Sequence, residues 1–364
     1  MRHDGAVTFP RTRTLPRTRP VLDALGAYKP GKRPAAGQDL VRLASNETPF
    51  PPLPQVTEAV SRALAEGHRY PDPGATALVA ALADHHGVNE DQVSVGCGSV
   101  ALVQQLLQLT VDQGAEVVYA WRSFEAYPIL TRIAGGSSVE VPLQDGCHDL
   151  EAMAAAVTEQ TALVFLCSPN NPTGPALAAD GVRRFLASVP ASVVVVLDEA
   201  YAEFVTDPAA VDGRTLLAEH PNLAVLRTFS KAYGLAGLRV GYCLASPHLT
   251  GAMRKVQLPF AVNALAQAAA VASLTAQDEL RERVATVVGE RERVRLALQE
   301  LGFVVPPSQG NFIWLQIGQD TLRVAAALET AGVLVRPFAD EGVRVTVTTP
   351  AESDRLLRAA RSIG

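Results

Sequence analysis

Polar residues that could carry out chemistry occur at the ends of four apolar stretches of this sequence. They lie in GCGS (96–99), CSPNNPTG (167–174), VVVVLDEAYAEF (193–204) and RTFSKAYGLAGLRVGY (227–242). The apolar stretches have the composition of buried strands, and ligands of open α/β sheets bind at the carboxyl ends of the strands. We therefore expect the four segments to meet in one site.

Asp198 and Lys231 are the two residues that point most directly to chemistry. Asp198 ends a stretch that is otherwise wholly apolar, and a buried carboxylate is costly unless a cation or a donor meets it. Lys231 lies between another apolar stretch and a glycine-rich turn, so we expect its amine to be at least partly buried. Burial lowers the pKa of a lysine and makes it a nucleophile that can form a Schiff base. A structural ion pair and a solvated surface lysine are the simpler alternatives.

Pyridoxal phosphate is the cofactor that uses these residue types together. It requires a lysine to form an imine, and an acid to keep its ring nitrogen protonated, because the protonated ring is the electron sink for carbanion chemistry. It also requires a donor to its phenolic oxygen and a phosphate cradle at a helix N-terminus. The residues of suitable type are the 96–99 turn, Asn171, Asp198, Ser230, Lys231 and Arg239.

The turn at 96–101 also fits the G-x-G-x-x-G/A pattern of a dinucleotide-binding site. An NAD-dependent dehydrogenase would place an acid at the end of the next strand, where it binds the ribose hydroxyls. That strand, EVVYAW (116–121), ends in Ala120-Trp121, and its Glu116 is at the other end. A non-catalytic regulator module would carry a DNA-binding domain or lack the lysine, and we expect neither here. The sequence therefore favours pyridoxal phosphate over both alternatives.

The apolar stretches alternate with helical patterns from about residue 56 to 247. Continuous β-branched runs indicate strands that are covered on both faces, as in a mainly parallel sheet between helices. The seven predicted strands are 93–95, 116–121, 138–143, 162–169, 192–200, 223–230 and 240–245. We predict an N-terminal arm (1–50) that packs with the small domain, a large cofactor-binding α/β domain (51–247) and a small α+β C-terminal domain (248–364).

The composition is that of a globular protein and restricts the partners. The chain has 364 residues, 19% of them charged, and a net charge of -5, so it lacks the basic footprint of a nucleic-acid or anionic-membrane binder. No run approaches the roughly 18 apolar residues that span a bilayer. Its four cysteines form no C-x-x-C pair, so we expect no metal site and no disulfide framework, but reduced thiols in a cytoplasmic protein.

SPNNPTG, DEAYAEF and RTFSKAYGLAGLRVGY look like motifs of the fold-type I pyridoxal-phosphate aminotransferases. Within these, the chain resembles the histidinol-phosphate aminotransferase branch. The resemblance extends over nearly the whole chain after residue 20. It includes the segments LASNETPFPPLP (43–54), RYPDPGA (69–75), NFIWL (311–315) and GVRVTV (342–347). It implies a homodimer with shared active sites, and an amino acid and a 2-oxo acid such as 2-oxoglutarate as the substrates of a ping-pong reaction.

The resemblance also implies roles in cofactor binding and catalysis. Lys231 would be the Schiff-base lysine, which also moves the α-proton of the substrate. Asp198 would pair with the ring nitrogen, and Phe124 would stack on the ring. Asn171 and Tyr201 would hold the phenolic oxygen. The catalytic residues would be Lys231, Asp198 and Tyr201. The residues that would bind the cofactor phosphate are Gly98, Ser99, Ser230 and Arg239.

Other matching residues would bind the substrate or complete the site of a partner subunit. Arg344 would clamp the α-carboxylate of the substrate, a bidentate task that suits a guanidinium. Tyr70 would reach the cofactor phosphate of the neighbouring subunit. The residues that would line the substrate pocket are Tyr28, Asn46, Asn311 and Arg336.

Two departures from the histidinol-phosphate pattern favour another substrate. Val100-Ala101 stand where that branch has an acidic or amide residue, and Trp121-Arg122-Ser123 precede Phe124 where it has PTY or PSY. LASNET, VGCGSVAL and WRSFEAYP look closer to the aromatic amino acid (phenylalanine) aminotransferases. A more apolar wall suits a phenyl ring better than an imidazole that bears a phosphate. We therefore expect phenylalanine, tyrosine and tryptophan as amino donors, with histidinol phosphate as the alternative.

Overall fold

A computed structural model describes residues 17–26 and 39–363 of the chain. Much of the predicted N-terminal arm lies outside these residues, and so does Tyr28, a predicted substrate-pocket residue. Within the described ranges no helix has the length and apolar character needed to cross a membrane. In the same ranges no three His, Cys, Asp or Glu side chains are grouped so that they could hold a metal ion.

The described residues form twelve strands and eleven α-helices. The strands are β1 (Val41–Arg42), β2 (Val93–Gly96), β3 (Glu116–Trp121), β4 (Ser137–Pro142), β5 (Thr161–Cys167), β6 (Val194–Asp198), β7 (Leu223–Thr228), β8 (Gly241–Ala245), β9 (Phe312–Gln316), β10 (Val333–Leu334), β11 (Arg336–Phe338) and β12 (Gly342–Thr346). The helices are α1 (Pro54–Leu64), α2 (Thr76–His86), α3 (Ser99–Thr110), α4 (Ala126–Ala134), α5 (Leu150–Ala155), α6 (Ala179–Ser188), α7 (Pro247–Val256), α8 (Ala264–Leu274), α9 (Gln277–Glu300), α10 (Thr321–Thr330) and α11 (Pro350–Arg361).

A seven-stranded sheet confirms the predicted fold class. Its strands lie in the order β2-β8-β7-β6-β5-β3-β4. The pairs β3–β4, β3–β5, β5–β6 and β6–β7 are parallel, whereas β8 runs antiparallel to β7 and β2. Helices supply the long crossover connections that parallel strands require. The seven predicted strands therefore all exist, in one mainly parallel sheet.

Alternate residues of the central strands face opposite layers of helices. In β5, Val164 and Leu166 belong to one apolar core, and Leu163 and Phe165 belong to the other. All four side chains are fully buried. Because both faces of the sheet are covered, its strands are continuous apolar runs in the sequence rather than alternating ones.

The C-terminal part contains a second, smaller sheet of different construction. Its strands are antiparallel in the order β11-β12-β9. The sequence VLVRPF (333–338) predicts a single strand, but the structure divides it: β10 pairs with β1, with Val41 opposite Val333, and only β11 belongs to the small sheet. Val335 lies between the two short strands, so the two halves of this run belong to different sheets. Helix α8 packs against α1 and α2, and the predicted domain boundaries stay predictions.

The polar segments that were expected to meet do so at one edge of the large sheet. The parallel strands β5, β6 and β7 end there, at Cys167, Asp198 and Thr228, and α3 begins beside them at Ser99. The small sheet contributes Arg344 of β12 to the same place, where its guanidinium reaches the loop after β5. A cavity between the two sheets is thus bounded by the carboxyl ends of strands and the N-terminus of a helix, as the rule for open α/β sheets predicts.

Candidate active site

Most of the predicted site residues line a single cavity of about 280 Å³. Such a volume is near the lower end of small-molecule sites. The predicted residues in its lining are Ser99, Phe124, Asn171, Asp198, Tyr201, Ser230, Lys231, Arg239, Arg336 and Arg344. These positions are spread over more than two hundred residues of sequence, so the fold brings them together.

Asp198 lines the cavity. One of its carboxylate oxygens accepts a hydrogen bond from a side chain, and the other accepts none from the described side chains. Its side chain is 4% exposed, and its Oδ2 accepts a hydrogen bond from the Tyr127 hydroxyl at 2.8 Å. Its Oδ1 is buried and makes no hydrogen bond of standard geometry within the described residues, although the nearby backbone N–H of Ala200 lowers the pKa of this carboxyl. Burial raises the pKa of Asp198 to about 6, although the Tyr127 bond acts in the opposite direction. An acid with a buried, unmatched acceptor is suited to a protonated ring nitrogen.

Tyr127 is a residue of the site that the sequence reasoning missed. It is fully buried, stacks on Phe165 with ring centroids 4.3 Å apart, and meets the edge of Phe124 at 5.5 Å. Burial raises its pKa, so the hydroxyl retains the proton that it donates to Asp198. In the sequence, Tyr127 looks like one more apolar residue of a helix, three positions after Phe124. In the sequence, only the three-residue spacing from Phe124 indicates that Tyr127 lies near the site.

Lys231 follows β7 and brings its amine into the same cavity. Its Nζ donates to the backbone oxygen of Ser45 at 3.2 Å. Burial is the main cause that lowers the pKa of Lys231 to about 7, and the nearby charges of Arg344 and Arg239 lower it further. Part of the amine is therefore unprotonated at neutral pH, which is the requirement for a nucleophile or a base.

The start of α3 and Arg239 form a cradle for an anion. Gly98, the residue before α3, has φ 78°, and a Cβ on it would collide with the guanidinium of Arg239. Arg239 itself has φ 59°, a strained backbone that persists where its surroundings enforce it. Its Nη1 donates to the Ser230 hydroxyl at 3.3 Å. The N-terminus of α3 at Ser99, the Ser230 hydroxyl and the Arg239 guanidinium together fit a phosphate.

Arg344 connects the small sheet to the large one inside the cavity. It donates from Nη1 to Asn171 Oδ1 at 2.5 Å and from Nη2 to the Ala44 backbone oxygen at 2.6 Å. Its side chain is largely buried. A guanidinium held in this way presents a fixed fork to an incoming carboxylate.

Asn46 and Asn311 were predicted in the substrate pocket, but they lie behind its wall. Both side chains are buried. Asn46 donates from Nδ2 to the Tyr201 hydroxyl at 2.9 Å, and Asn311 donates from Nδ2 to the Asn46 backbone oxygen at 3.2 Å. In this geometry they orient Tyr201 rather than line the cavity.

The part of the cavity lining that contains Arg336 is charged, whereas the sequence predicts a more apolar lining. The guanidinium of Arg336 donates to Glu125 at 2.6 Å, and both residues line the cavity. Glu125 was missed because a charged residue beside an apolar one is ordinarily a solvated residue at the start of a helix.

Arg227 and Tyr70 do not line the cavity. Arg227 forms a buried ion pair with Glu199 at 2.6 Å and a second one with Asp212 at 3.0 Å. It therefore neutralises the acid that follows Asp198. Tyr70 is 82% exposed and stacks on Phe260 at 4.6 Å between centroids, so that within this chain it does not reach the cavity.

The residues present fit pyridoxal phosphate. The unmatched oxygen of Asp198 can accept from the ring nitrogen, and the cradle at Ser99, Ser230 and Arg239 can bind the phosphate. The amine of Lys231 lies in the same cavity. Phe124 and Asn171 supply an aromatic face and an amide in the lining, which are the remaining groups that the cofactor requires.

Comparison with known proteins gives matches over nearly the whole chain. A family model described as aminotransferase class I and II matches residues 38–359. An aromatic amino acid aminotransferase of Thermobifida fusca is 55% identical over 352 residues, which are 96% of this chain and 98% of that protein. Another, of Rhodococcus jostii, is 54% identical over 349 residues, 95% of this chain and 96% of that protein.

Solved structures show the same similarity. The histidinol-phosphate aminotransferase of Sinorhizobium meliloti, in complex with pyridoxal-5'-phosphate, has a TM-score of 0.88 at 31% identity and covers 96% of this chain and 99% of its own. The aspartate aminotransferase of Thermus thermophilus with maleate has a TM-score of 0.82 at 26% identity, over 96% of this chain and 100% of its own. The chain therefore belongs to the class I and II aminotransferases, a pyridoxal-phosphate-dependent family.

Proposed function

We propose that this enzyme transfers the amino group of phenylalanine, tyrosine or tryptophan to 2-oxoglutarate in two half-reactions at one cavity. The observation that carries the proposal is the joint position of the Lys231 amine and the unmatched Asp198 oxygen in a cavity with an anion cradle. Relatives that are 55% and 54% identical over nearly the full chain are aromatic amino acid aminotransferases, which supports the aromatic substrate class.

In this proposal each residue of the site has a stated task. Bound pyridoxal phosphate supplies an electron sink when the Cα–H bond of the substrate breaks. Lys231 would take the proton from the substrate Cα with its Nζ and deliver it to the cofactor rather than back to Cα. Asp198 holds the proton of the ring nitrogen through its Oδ1, and Tyr201 and Asn171 bind the phenolic oxygen. The residues that bind the phosphate are Gly98, Ser99, Ser230 and Arg239, while Phe124 packs on the ring and Arg344 binds the α-carboxylate.

The lining beyond these groups favours an aryl side chain. Ala44, Val100, Ala200 and Phe124 contribute apolar surface to the cavity, and an aromatic ring gains from burial against it. Histidinol-phosphate transamination is the second candidate, because the S. meliloti enzyme superposes with a TM-score of 0.88. The two substrates differ by a charged group, so one site is expected to discriminate between them strongly.

Steady-state kinetics of the holoenzyme with 2-oxoglutarate and a panel of donors tests this substrate class. We expect kcat/KM for phenylalanine, tyrosine or tryptophan to exceed that for histidinol phosphate by about a hundredfold or more. A higher kcat/KM for histidinol phosphate would show that the second candidate is correct.

Replacing Tyr127 by phenylalanine is expected to lower kcat about tenfold, because a hydrogen bond to a charged group is lost. The donor bond at 2.8 Å favours the ionised form of Asp198, so its removal raises the pKa of that carboxyl further. The acidic limb of the kcat–pH profile should therefore move to higher pH. Tyr127 would act through Asp198, as a positioning residue.

A matched control for this variant is Tyr119→Phe. Tyr119 is also fully buried, but its hydroxyl donates to Glu140 at 3.2 Å and not to Asp198. Loss of a buried hydroxyl as such would affect both variants alike. An unchanged pH profile in Tyr127→Phe would contradict the positioning role.

We also propose that the enzyme is a homodimer in which Tyr70 completes the site of the partner subunit. Tyr70, Leu258 and Phe260 are 82%, 75% and 40% exposed, and Tyr70 stacks on Phe260. Large apolar side chains that are exposed together favour a protein interface. We expect a particle of twice 38.5 kDa in light scattering.

Shared sites predict complementation between two inactive variants. Lys231→Ala and Tyr70→Ala should each be nearly inactive alone, since each removes one group from both sites of a homodimer. In a mixed dimer one site keeps both wild-type residues, so co-expression should restore activity in proportion to the mixed dimers formed. Co-expressed subunits that stay as inactive as the separate variants would contradict the shared site.

A further inference from the structure

The ion pair between Arg336 and Glu125 is not used by the mechanism above. Arg336 Nη2 donates to Glu125 Oε2 at 2.6 Å, and the two side chains are 15% and 31% exposed. Both line the cavity, so the pair faces any substrate that enters. A mostly shielded pair of this kind interacts more strongly than a surface salt bridge, and it also orients its two members.

Arg336 stands beside the guanidinium that is assigned to the α-carboxylate. Arg336 and Arg344 are register partners in the antiparallel strands β11 and β12. Opposite residues in such a pair project from one face, with Cβ atoms about 5 Å apart, and both arginines line the cavity. Two adjacent guanidinium groups match a dicarboxylate such as 2-oxoglutarate, which can place one carboxylate on each.

The same cavity has to accept an aryl side chain in the other half-reaction. An aromatic amino acid brings one carboxylate, which Arg344 takes, and no second anion for Arg336. A shielded guanidinium without a counter-ion is costly. Glu125 provides that counter-ion from within the protein, so that the wall is electrically neutral when an aryl group lies against it.

We propose that Glu125 is a specificity-determining residue, the internal counter-ion of Arg336, which lets one cavity accept an aryl or a carboxylate side chain and refuse a phosphate monoester. The inference rests on the proposed function. The distal carboxylate of 2-oxoglutarate takes the place of Glu125 on Arg336, an exchange of one negative charge for another. A phosphate monoester carries close to two negative charges at neutral pH, and it meets the Glu125 carboxylate at short range.

The Glu125→Gln holoenzyme tests this proposal through a ratio. We expect kcat/KM for histidinol phosphate, divided by kcat/KM for phenylalanine, to rise at least about tenfold over the wild type. Glu341→Gln is the matched control, because Glu341 pairs with Arg122 and does not line the cavity. A ratio for Glu125→Gln that equals the ratio for this control overturns the proposal. Glu125→Ala repeats the measurement if the glutamine variant does not fold.

Binding of two unreactive ligands provides a readout that does not depend on turnover. Glutarate and 3-phenylpropionate lack a transferable group, and their dissociation constants follow from the visible absorbance of the bound cofactor. In Glu125→Gln we expect glutarate to bind at least about tenfold more tightly relative to 3-phenylpropionate, and an unchanged relative affinity overturns the proposal. The wild-type donor preference tests the proposed function by itself, so failure of the function and failure of this inference are distinguishable.

Discussion

The Lys231→Ala enzyme is expected to lose transamination by about 10⁴-fold or more, because the amine that we propose as the base at the substrate Cα is removed. Lys231 is suited to that task since its pKa is lowered to about 7, which leaves part of the amine unprotonated at neutral pH. The variant should also lack the visible absorbance that depends on a bond between cofactor and lysine. Phenylpyruvate formation and the absorption spectrum of the purified protein measure both effects.

Lys255→Ala is the control for this variant, because Lys255 is exposed near the end of α7. It should retain wild-type turnover and spectrum. Equal thermal midpoints of the two variants would show that the lysine change does not unfold the protein. Turnover of Lys231→Ala near the wild-type value would refute the assignment of the lysine.

The Asp198→Asn enzyme is expected to lose about 10³-fold in kcat, because an amide cannot stabilise a positive ring nitrogen as a carboxylate does. The change is nearly isosteric, so the Tyr127 hydroxyl still finds an oxygen acceptor. The pH titration of the cofactor absorbance should show that the ring nitrogen loses its proton at lower pH than in the wild type. A kcat within tenfold of the wild type would contradict the role of Asp198.

The same variant is expected to raise the stability of the cofactor-free protein at pH 8. Burial raises the pKa of Asp198 from 3.8 to about 6, so the folded state binds a proton more tightly than the unfolded state. That acid contributes stability below pH 4 which is lost as the pH rises through about 6. Asparagine has no such loss, so the thermal midpoint should exceed that of the wild type at pH 8 and approach it at pH 4.

Glu199→Gln provides the contrast, since it changes the neighbouring carboxylate. Glu199 is as buried as Asp198, but it pairs with the buried Arg227 at 2.6 Å. Its removal leaves a buried guanidinium with less compensation, which lowers stability. An increase in stability for Asp198→Asn and a decrease for Glu199→Gln would show that the Asp198 carboxylate lowers the stability of the folded protein.

The large sheet was predictable because each of its strands carries a local signal. Segments such as 193–197 are continuous apolar runs, and a functional residue follows directly or within a few positions, so that Asp198 and Lys231 could be placed at one edge from sequence alone. The resemblance to a known family added residues that lie far apart, such as Phe124 and Arg344. The end-of-strand rule would not have connected these to the same cavity.

The missed features depend on contacts that no local pattern records. Tyr127 is an aromatic residue on the buried face of a helix, and only the geometry shows that its hydroxyl meets Asp198. Glu125 becomes part of the cavity because Arg336, more than two hundred residues later, lies within 2.6 Å. The run 333–338 divides into two strands because its first two residues pair with β1 and its last three pair with β12.

A single-turnover half-reaction with phenylalanine tests the central claim most directly. The holoenzyme is mixed with excess phenylalanine and no 2-oxo acid, and a parallel sample receives histidinol phosphate. We predict one phenylpyruvate per site, a complete change in the visible absorbance of the cofactor, and a faster change with phenylalanine than with histidinol phosphate. The absence of phenylpyruvate, or a faster change with histidinol phosphate, would contradict an aromatic amino acid aminotransferase.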